Sequence, residues 1–326
     1  MVRVKFFNSA ICFCLTLGLA VLSAQAQDTH KENTRSLNHY ILGVYCQGLG
    51  DLEGALGEYQ KALKADPESS LLHLNLASVF IQKENLDLAI AELKHSIRLA
   101  PEAVQPHTLL ALVYIAQNKA DLAATEYILA LENATKAEPN NIETYKGLGA
   151  IYLQQNKLKQ AEGIFKLIVK MAPADAEAHF YLGSVYYSLE DSLTAEKELT
   201  SAVKLKPDYH EALNFLGYFY LEHDKNIDQA GSMIKQALVF EPENGAYLDS
   251  LGWFYYKKGK FKEALSHLER AAYFLSDPVI YDHLGDAFLK LGNTASAKLN
   301  WEKSLKLDSQ NAQVKAKLLK FTNHGQ

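Results

Sequence analysis

The stretch LGSVYYSLEDSLTAEKELTSAVKLKP, residues 182–207, predicts two helices joined by a tight turn. Apolar side chains recur at helical spacing on both sides of the turn. Gly183 on the first helix and Ala195 on the second would let the helices approach closely, because a larger side chain would overpack the contact at a cost of roughly 1–3 kcal/mol. Pro207 cannot continue the second helix, since it has no backbone N–H to donate. The stretch therefore predicts an α-helical hairpin.

The same marks return along the chain at a period close to 34 residues. The small residue of the first helix is Gly43, Ala77, Ala111, Gly149, Gly183, Gly217, Gly252 and Gly285; the alanine of the second helix is Ala55, Ala89, Ala123, Ala161, Ala195, Ala230, Ala264 and Ala297; the proline is Pro67, Pro101, Pro139, Pro173, Pro207 and Pro242. These series predict eight hairpin repeats, at 36–69, 70–103, 104–141, 142–175, 176–209, 210–244, 245–277 and 278–311. Each hairpin is too small to bury its own apolar face, so neighbouring repeats would bury it jointly.

This pattern resembles the tetratricopeptide repeat (TPR) family in repeat length and in its small-residue, aromatic and proline positions. The resemblance covers residues 36–311 and implies an all-α fold, a right-handed α-solenoid of stacked helical hairpins. Repeat 3 gains four residues near 132–136, about one helical turn, and repeat 6 gains one residue near Asn226. Residues 312–326 predict a capping helix and tail, which would shield the open apolar end of the solenoid.

The first 26 residues predict a signal peptide. Two bases precede an apolar run at 10–22, and Ala24 and Ala26 supply the small residues that a signal peptidase reads. We expect cleavage after Ala26, a polar leader at 27–35, and an exported protein of a bacterial envelope, periplasmic or secreted. The alternative is an uncleaved membrane anchor, although the run is short for a full span.

Composition and motif content favour a protein without catalytic activity. The net charge is −5 and no dense Lys/Arg cluster is present, which argues against nucleic acid as a partner. The 11 histidines show no metal-ligand spacing, and Gly48-Leu49-Gly50 is best interpreted as an inter-helix turn, since no strand precedes it. We therefore expect no catalytic residue, no cofactor, no metal and no small-molecule substrate, and an enzyme is the third choice.

The TPR resemblance implies a concave groove lined by the first helices, at positions 2, 5, 9 and 12 of each repeat. Repeats 5–8 offer aromatic, amide and acidic side chains there, namely Phe180, Tyr187, Asn214, Tyr218, Asp249, Trp253, Tyr256, Asp282 and Asp286. Trp and Tyr are enriched in binding hot spots, so we predict a site for an extended or helical peptide of basic character. The alternative is that several rings pack between neighbouring repeats. Trp253 is expected to pack least, because its slot is usually not part of the core.

Two stretches carry a narrower resemblance, LNFLGYFYLEHDKNIDQA at 213–230 and NGAYLDSLGWFYYKKGKFKEA at 244–264. They resemble the C-terminal repeats of bacterial envelope TPR proteins, including lipoproteins that serve as adaptors for periplasmic proteases. The lipidated cysteine of those proteins is absent here. The resemblance implies a protein–protein interaction scaffold or adaptor whose partner is a periplasmic protease or an envelope assembly component. The alternative is a structural assembly factor of an envelope, pilus or secretion machine.

Overall fold

The computed structural model describes residues 34–323 and the side chains of residues 35–320. This part of the chain contains seventeen α-helices and no strand, which confirms the predicted all-α class. The helices are α1 (Thr34–Gly48), α2 (Leu52–Ala65), α3 (Ser70–Gln82), α4 (Leu86–Leu99), α5 (Val104–Ala116), α6 (Ala120–Ala137), α7 (Ile142–Gln154), α8 (Leu158–Met171), α9 (Ala176–Ser188), α10 (Ser192–Leu205), α11 (His210–Glu222), α12 (Ile227–Phe240), α13 (Gly245–Lys257), α14 (Phe261–Phe274), α15 (Pro278–Lys290), α16 (Thr294–Leu307) and α17 (Ala312–Asn323). The predicted signal peptide and residues 27–33 of the predicted leader lie outside the described residues.

The helices form two compact units, each built from hairpins in which consecutive helices pack together. The first unit ends at Gln155 and contains the hairpins α1–α2, α3–α4 and α5–α6, followed by α7, which packs on α6. The second unit begins at Asn156 and contains α8, which packs on α9, and the hairpins α9–α10, α11–α12, α13–α14 and α15–α16. Helix α17 packs on α16 at the end of the second unit.

Close contact inside a hairpin depends on the small residues of the period. At Gly183 on α9, an added Cβ would lie 2.7 Å from Leu199 Cγ of α10. At Gly252 on α13, it would lie 2.6 Å from Leu268 Cγ of α14. Both distances are too short for a carbon–carbon contact, so a side chain here would push the two helices apart. Because the helices approach so closely, Leu199 and Leu268 are fully buried.

Helix ends follow local capping chemistry. The Asp175 and Asp191 carboxylates accept backbone hydrogen bonds from the third residue after each, which caps α9 and α10. The second helices of the first six repeats end two residues before the proline of the period. Helix α14 ends at the same distance before Ser276, so the proline is not required for the end to form.

The irregular repeats differ locally. Helix α6 has 18 residues where the other second helices have 14, which is the extra turn predicted for repeat 3. In repeat 6, Asp224 and Asn226 both adopt positive φ in the turn before α12, which accommodates the one extra residue. Within residues 34–323, no helix is both long enough and apolar enough to span a bilayer.

Candidate functional site

The nine predicted site residues lie on four successive first helices of the second unit, α9, α11, α13 and α15. We call the face formed by these side chains the first-helix groove. It has two parts. Phe180 and Tyr187 form an aromatic cluster at one end, and the residues of α11, α13 and α15 form a mixed aromatic and acidic network at the other.

The aromatic cluster joins repeats 5 and 6. The Phe180 ring meets Phe215 edge to face at 5.9 Å between centroids, and the Tyr187 ring meets Phe215 in the same way at 5.4 Å. Burial raises the pKa of the Tyr187 hydroxyl, with a further contribution from the nearby Glu222 carboxylate. Phe180 and Tyr187 are half-buried, so the predicted packing between neighbouring repeats accounts for part of each ring.

Trp253 is the centre of a stack of three rings, and its placement differs from our expectation. Its indole stacks with His283 at 4.0 Å and with Tyr256 at 4.5 Å between ring centroids, with interplanar angles of 12° and 10°. Its Nε1 donates a hydrogen bond of 2.8 Å to Glu222 on α11. Only 9% of the residue is exposed, and it belongs to a hydrophobic cluster with Leu251 and Phe254, whereas the sequence suggested that it would pack least. The ring is buried because two flat partners, His283 and Tyr256, stack on it.

Asp249 is buried under this stack and is paired. The His283 ring donates from Nδ1 to Asp249, at 2.9 Å from Oδ1 and 3.1 Å from Oδ2. Burial lowers the pKa of His283, but Asp249, Asp282 and Glu222 raise it, and the net shift is upward. The Tyr218 ring lies 6.3 Å from the His283 ring, and burial raises the pKa of its hydroxyl. The network therefore joins α11, α13 and α15 through one histidine.

Asp282 and Asp286 lie at the end of the groove, where the predicted capping helix α17 contacts them. Lys317 Nζ donates hydrogen bonds to Asp282 Oδ1 at 2.6 Å and to Asp286 Oδ2 at 2.8 Å. Burial raises the pKa of Asp282 despite this pairing. Burial, with smaller contributions from the Asp286 and Asp282 carboxylates, raises the pKa of Tyr256 to about 12. The remaining predicted residue, Asn214, has its Oδ1 buried without a hydrogen-bond partner among the described residues.

The groove can bind a ligand through flat apolar surface and negative charge. Tyr218 and Tyr256 are half-buried, and Glu222 is exposed at the groove surface. The network contains the four carboxyl groups of Glu222, Asp249, Asp282 and Asp286. His283 pairs with Asp249, Lys317 pairs with Asp282 and Asp286, and Lys257 Nζ lies 5.5 Å from the centre of the Trp253 ring. No group of His, Cys, Asp and Glu side chains within the described part of the chain is arranged to hold a metal ion.

Sequence reasoning did not identify Glu222, His283 and Lys317 as parts of this network. Their partners lie 31–35 residues away in the chain, one repeat along, so the pairing depends on the stacking of the first helices. A signal was present for His283, because Asp249 precedes it by 34 residues. No comparable signal existed for Lys317, which lies outside the eight repeats.

A second feature was visible in the sequence only as scattered histidines. In four repeats, a first-helix histidine contacts a second-helix glutamate 19 residues later through Nδ1 at 2.6–2.7 Å. The pairs are His39–Glu58, His73–Glu92, His107–Glu126 and His179–Glu198. In the last three, Nε2 also faces the carbonyl oxygen of the preceding proline of the period, at 3.1–3.4 Å. His73, His107 and His179 therefore tie their hairpins to the loop that precedes each, which is a packing role.

Comparison with family models identifies the family to which the repeats belong. Models described as tetratricopeptide repeat match residues 48–113, 114–182, 176–209, 247–273 and 279–311, more than half of the chain. The chain belongs to the tetratricopeptide repeat family. Tetratricopeptide repeat proteins bind protein or peptide partners and are generally non-catalytic scaffolds.

Solved structures share the fold of this TPR protein. A tetratricopeptide repeat protein from Parabacteroides merdae ATCC 43184 is 18% identical, with a TM-score of 0.57 over 78% of this chain and 98% of that one. The structure of the APC/C hetero-tetramer Cut9–Hcn1 contains a chain that is 14% identical, with a TM-score of 0.54 over 99% of this chain and 89% of that one. No curated protein sequence matches the chain. At these identities the likeness concerns the fold alone.

Proposed function

We propose that this TPR protein is a non-catalytic scaffold or adaptor of a bacterial envelope that binds peptide or protein segments in the first-helix groove of repeats 5–8. The observation that carries the proposal is the combination of aromatic rings and carboxylates on one face. Tyr218 and Tyr256 offer flat surface, and Glu222, Asp282 and Asp286 place negative charge beside it. Aromatic side chains of this kind dominate the energy of many protein interfaces.

The charge of the groove favours a basic partner. Asp282 and Asp286 share the single amine of Lys317, and Glu222 accepts a hydrogen bond from the neutral Trp253 indole, so a bound lysine or arginine would find an acceptor. Lys317 shows the geometry that such a contact takes, with one amine bound to two carboxylates at 2.6 and 2.8 Å. A partner's amine would bind the exposed Glu222 or compete with Lys317 for Asp282 and Asp286.

The proposed partner is a periplasmic protease or an envelope assembly component, and the proposed location is outside the cytoplasm. The support for both is the signal-like segment at residues 1–26 and the likeness of 213–230 and 244–264 to envelope TPR proteins. The location has a direct test in the N-terminus of the protein purified from its own cells. A chain that begins at Gln27 supports export, and a chain that begins at Met1 or Val2 in the soluble cytoplasmic fraction contradicts it.

The groove itself is tested by selecting peptides from a random library on purified residues 27–326. We expect the selected peptides to be enriched in Lys and Arg. Their affinity should fall about tenfold in the Tyr256→Ala variant and in an Asp282→Asn/Asp286→Asn variant, a loss of roughly 1.4 kcal/mol each. Tyr256 is the better ring to remove than Trp253, because Trp253 is part of the core.

The matched control is Asp208→Asn/Glu263→Gln, which removes two acids outside the groove and the same amount of charge. The control should bind the selected peptides as the unmodified protein does. Peptides that bind all of these variants with equal affinity would place the binding site elsewhere and contradict the proposal. A library that yields no bias toward Lys or Arg would contradict the assigned charge of the partner.

A further inference from the structure

The last turn of the second helices differs between repeats in a way that the groove does not explain. Six of the eight second helices carry a base there, namely Lys64, Arg98, Lys136, Lys170, Lys204 and Lys306. A base at this position is stabilising, because the carbonyl end of a helix carries partial negative charge. Helices α12 and α14, in repeats 6 and 7, have no base in the last turn.

Exposed apolar side chains stand where the base would be. The position that is Lys204 in repeat 5 is Val239 in α12 and Tyr273 in α14. Val239 is 78% exposed and Tyr273 is 84% exposed. The next position holds a phenylalanine in both helices, Phe240 and Phe274, and each ring is about half exposed. Two neighbouring repeats therefore replace a cation with apolar surface that faces solvent.

These side chains lie along one edge of the second unit, connected through the start of α13. The Phe240 ring stacks on His210 at 5.4 Å, and His210 Nδ1 lies 2.9 Å from the hydroxyl of Tyr247 on α13. Leu275 packs directly against Gly245, the first residue of the same helix. At the far end, the Tyr273 ring meets Phe274 edge to face at 5.0 Å. We call Val239, Phe240, Tyr273, Phe274 and Leu275 the edge patch, and it shares no residue with the first-helix groove.

Acidic groups border the edge patch. Glu241 follows Phe240 directly, and its carboxylate lies 4.0 Å from His210, which also contacts Glu211 at 3.4 Å. Glu243 and Asp277 follow the ends of α12 and α14. Arg270, one turn before the end of α14, is the base of that helix closest to its C-terminus. The two helix ends add partial negative charge that no base in their last turns offsets.

We propose that the edge patch is a second docking surface, which takes an amphipathic segment of another protein with lysine or arginine among aliphatic side chains. Exposed apolar side chains that group on one edge of a monomeric surface are unusual and mark interaction sites. The surrounding negative charge favours a partner that carries positive charge. The partner's base would take the position that Lys204 or Lys306 holds in other repeats.

The test uses a labelled amphipathic helical peptide of about 14 Leu and Lys residues as the probe. Its binding to residues 27–326 is measured by fluorescence anisotropy. The variant Val239→Lys/Tyr273→Lys restores the base found in the six other repeats, so it should melt at the same temperature or higher. We expect its affinity for the probe to be at least tenfold lower. A photo-reactive form of the probe should label residues near 237–246 and 271–279 in the unmodified protein only.

The matched control is Leu193→Lys/Leu299→Lys, which makes the same kind of change at exposed apolar residues of α10 and α16. This variant should bind the probe within about twofold of the unmodified protein. Equal binding of the probe to the Val239→Lys/Tyr273→Lys variant overturns the proposal. So does equal binding of a Leu/Glu peptide, because the charge assignment then fails.

Two other occupants of the patch are distinguished by the same variants. If anionic vesicles bind the unmodified protein but not Val239→Lys/Tyr273→Lys, and the peptide binds neither, the patch contacts lipid and the proposal is wrong. If the unmodified protein sediments as a dimer and the variant as a monomer, the patch is covered by a second copy and the proposal is wrong. An Asp282→Asn/Asp286→Asn variant keeps the edge patch intact, so failure of the groove proposal leaves this result unchanged.

Discussion

At the scale of the residue, the turn inside every hairpin places one residue in the left-handed region of backbone conformation. The residue is Gly50, Glu84, Asn118, Asn156, Glu190, Asp224, Gly259 and Gly292, the same position of all eight repeats. A residue with a side chain pays roughly 1–3 kcal/mol for this conformation, whereas glycine adopts it freely. Five of the eight turns therefore store strain that three avoid.

Glu190→Gly should raise the free energy of unfolding of the second unit by about 1 kcal/mol. Relief of the positive φ of 61° exceeds the extra backbone entropy that glycine loses on folding. Urea denaturation measures the change. Gly259→Ala is the opposite substitution at the same position and should lower the free energy by a similar amount. A Glu190→Gly variant less stable than the unmodified protein would show that Glu190 makes a contact worth more than the strain.

The His283–Asp249 pair predicts a pH dependence of stability. The folded protein raises the net pKa of His283 above 6.5, because the gain from Asp249, Asp282 and Glu222 exceeds the burial penalty. This stabilisation is fully present below about pH 6.5 and is lost as pH rises through the folded pKa. Urea denaturation of the unmodified protein and of His283→Gln, at about pH 6 and pH 8.5, should show a steeper fall for the unmodified protein. Equal slopes would mean that His283 titrates as it does in the unfolded chain.

At the scale of the element, the two helices of a hairpin approach as closely as their glycine allows. Gly183→Ala should destabilise the second unit by roughly 1–3 kcal/mol, since the added Cβ would lie 2.7 Å from Leu199 Cγ. Gly163→Ala on α8 is the matched control, because nothing lies within 4 Å of its Cβ position. There the higher helix propensity of alanine should stabilise by about 1 kcal/mol. Thermal melts measure both. The same sign for both variants would refute the close-approach account of Gly183.

The sequence predicts the helices well because one period repeats the same local requirements eight times. Gly183, Ala195 and Pro207 each mark a helix contact or a helix end that recurs about every 34 residues. Because the pattern recurs, a chance match in one repeat does not change the predicted helices. The contacts of the groove are predicted less well. Trp253 is buried because the His283 ring, one repeat later, lies flat on it. The burial depends on which side chain the next repeat carries, so the repeat pattern alone does not predict it.

Other contacts could be predicted from the sequence, but only from the spacing between residues on different helices. The pairs His73–Glu92 and His179–Glu198 keep a fixed spacing of 19 residues, which a search for pairs would find. Lys317 is different, because its reach to Asp286 depends on the angle at which α17 packs on the last repeat. That angle is decided by tertiary packing and leaves no mark in the local sequence.

At the scale of the whole molecule, α17 covers part of the apolar surface of α16. Val314 is fully buried against Ala297 and Trp301 of α16, and Lys317 holds the two carboxylates of α15. A solenoid without such a cap leaves the apolar face of its last repeat in water. The C-terminal helix therefore contributes to both the stability of the second unit and the charge of the groove.

A chain that ends at Asn311 should lose about 3 kcal/mol of stability in its last repeats, since burial of one aliphatic side chain contributes roughly 1.5–3 kcal/mol. Trp301 fluorescence should shift toward longer wavelength as the ring becomes wet. The control is a chain that ends at Lys320, which keeps the buried contacts of α17. Thermal melts of the two chains measure the difference. Equal melting temperatures would mean that α17 does not cap the repeats in solution.

The extra turn of α6 shows how such a chain tolerates changes in length. Four added residues are close to one full helical turn, so the backbone leaves α6 in nearly its original direction and α7 still packs on α6. A gene for this protein can therefore accept small insertions in steps of one turn at the ends of second helices. It can accept unequal recombination in steps of a whole repeat, because each duplicated hairpin brings surfaces that already match its neighbours. The irregular third repeat therefore shows that one added turn at this place leaves the packing of α7 on α6 in place.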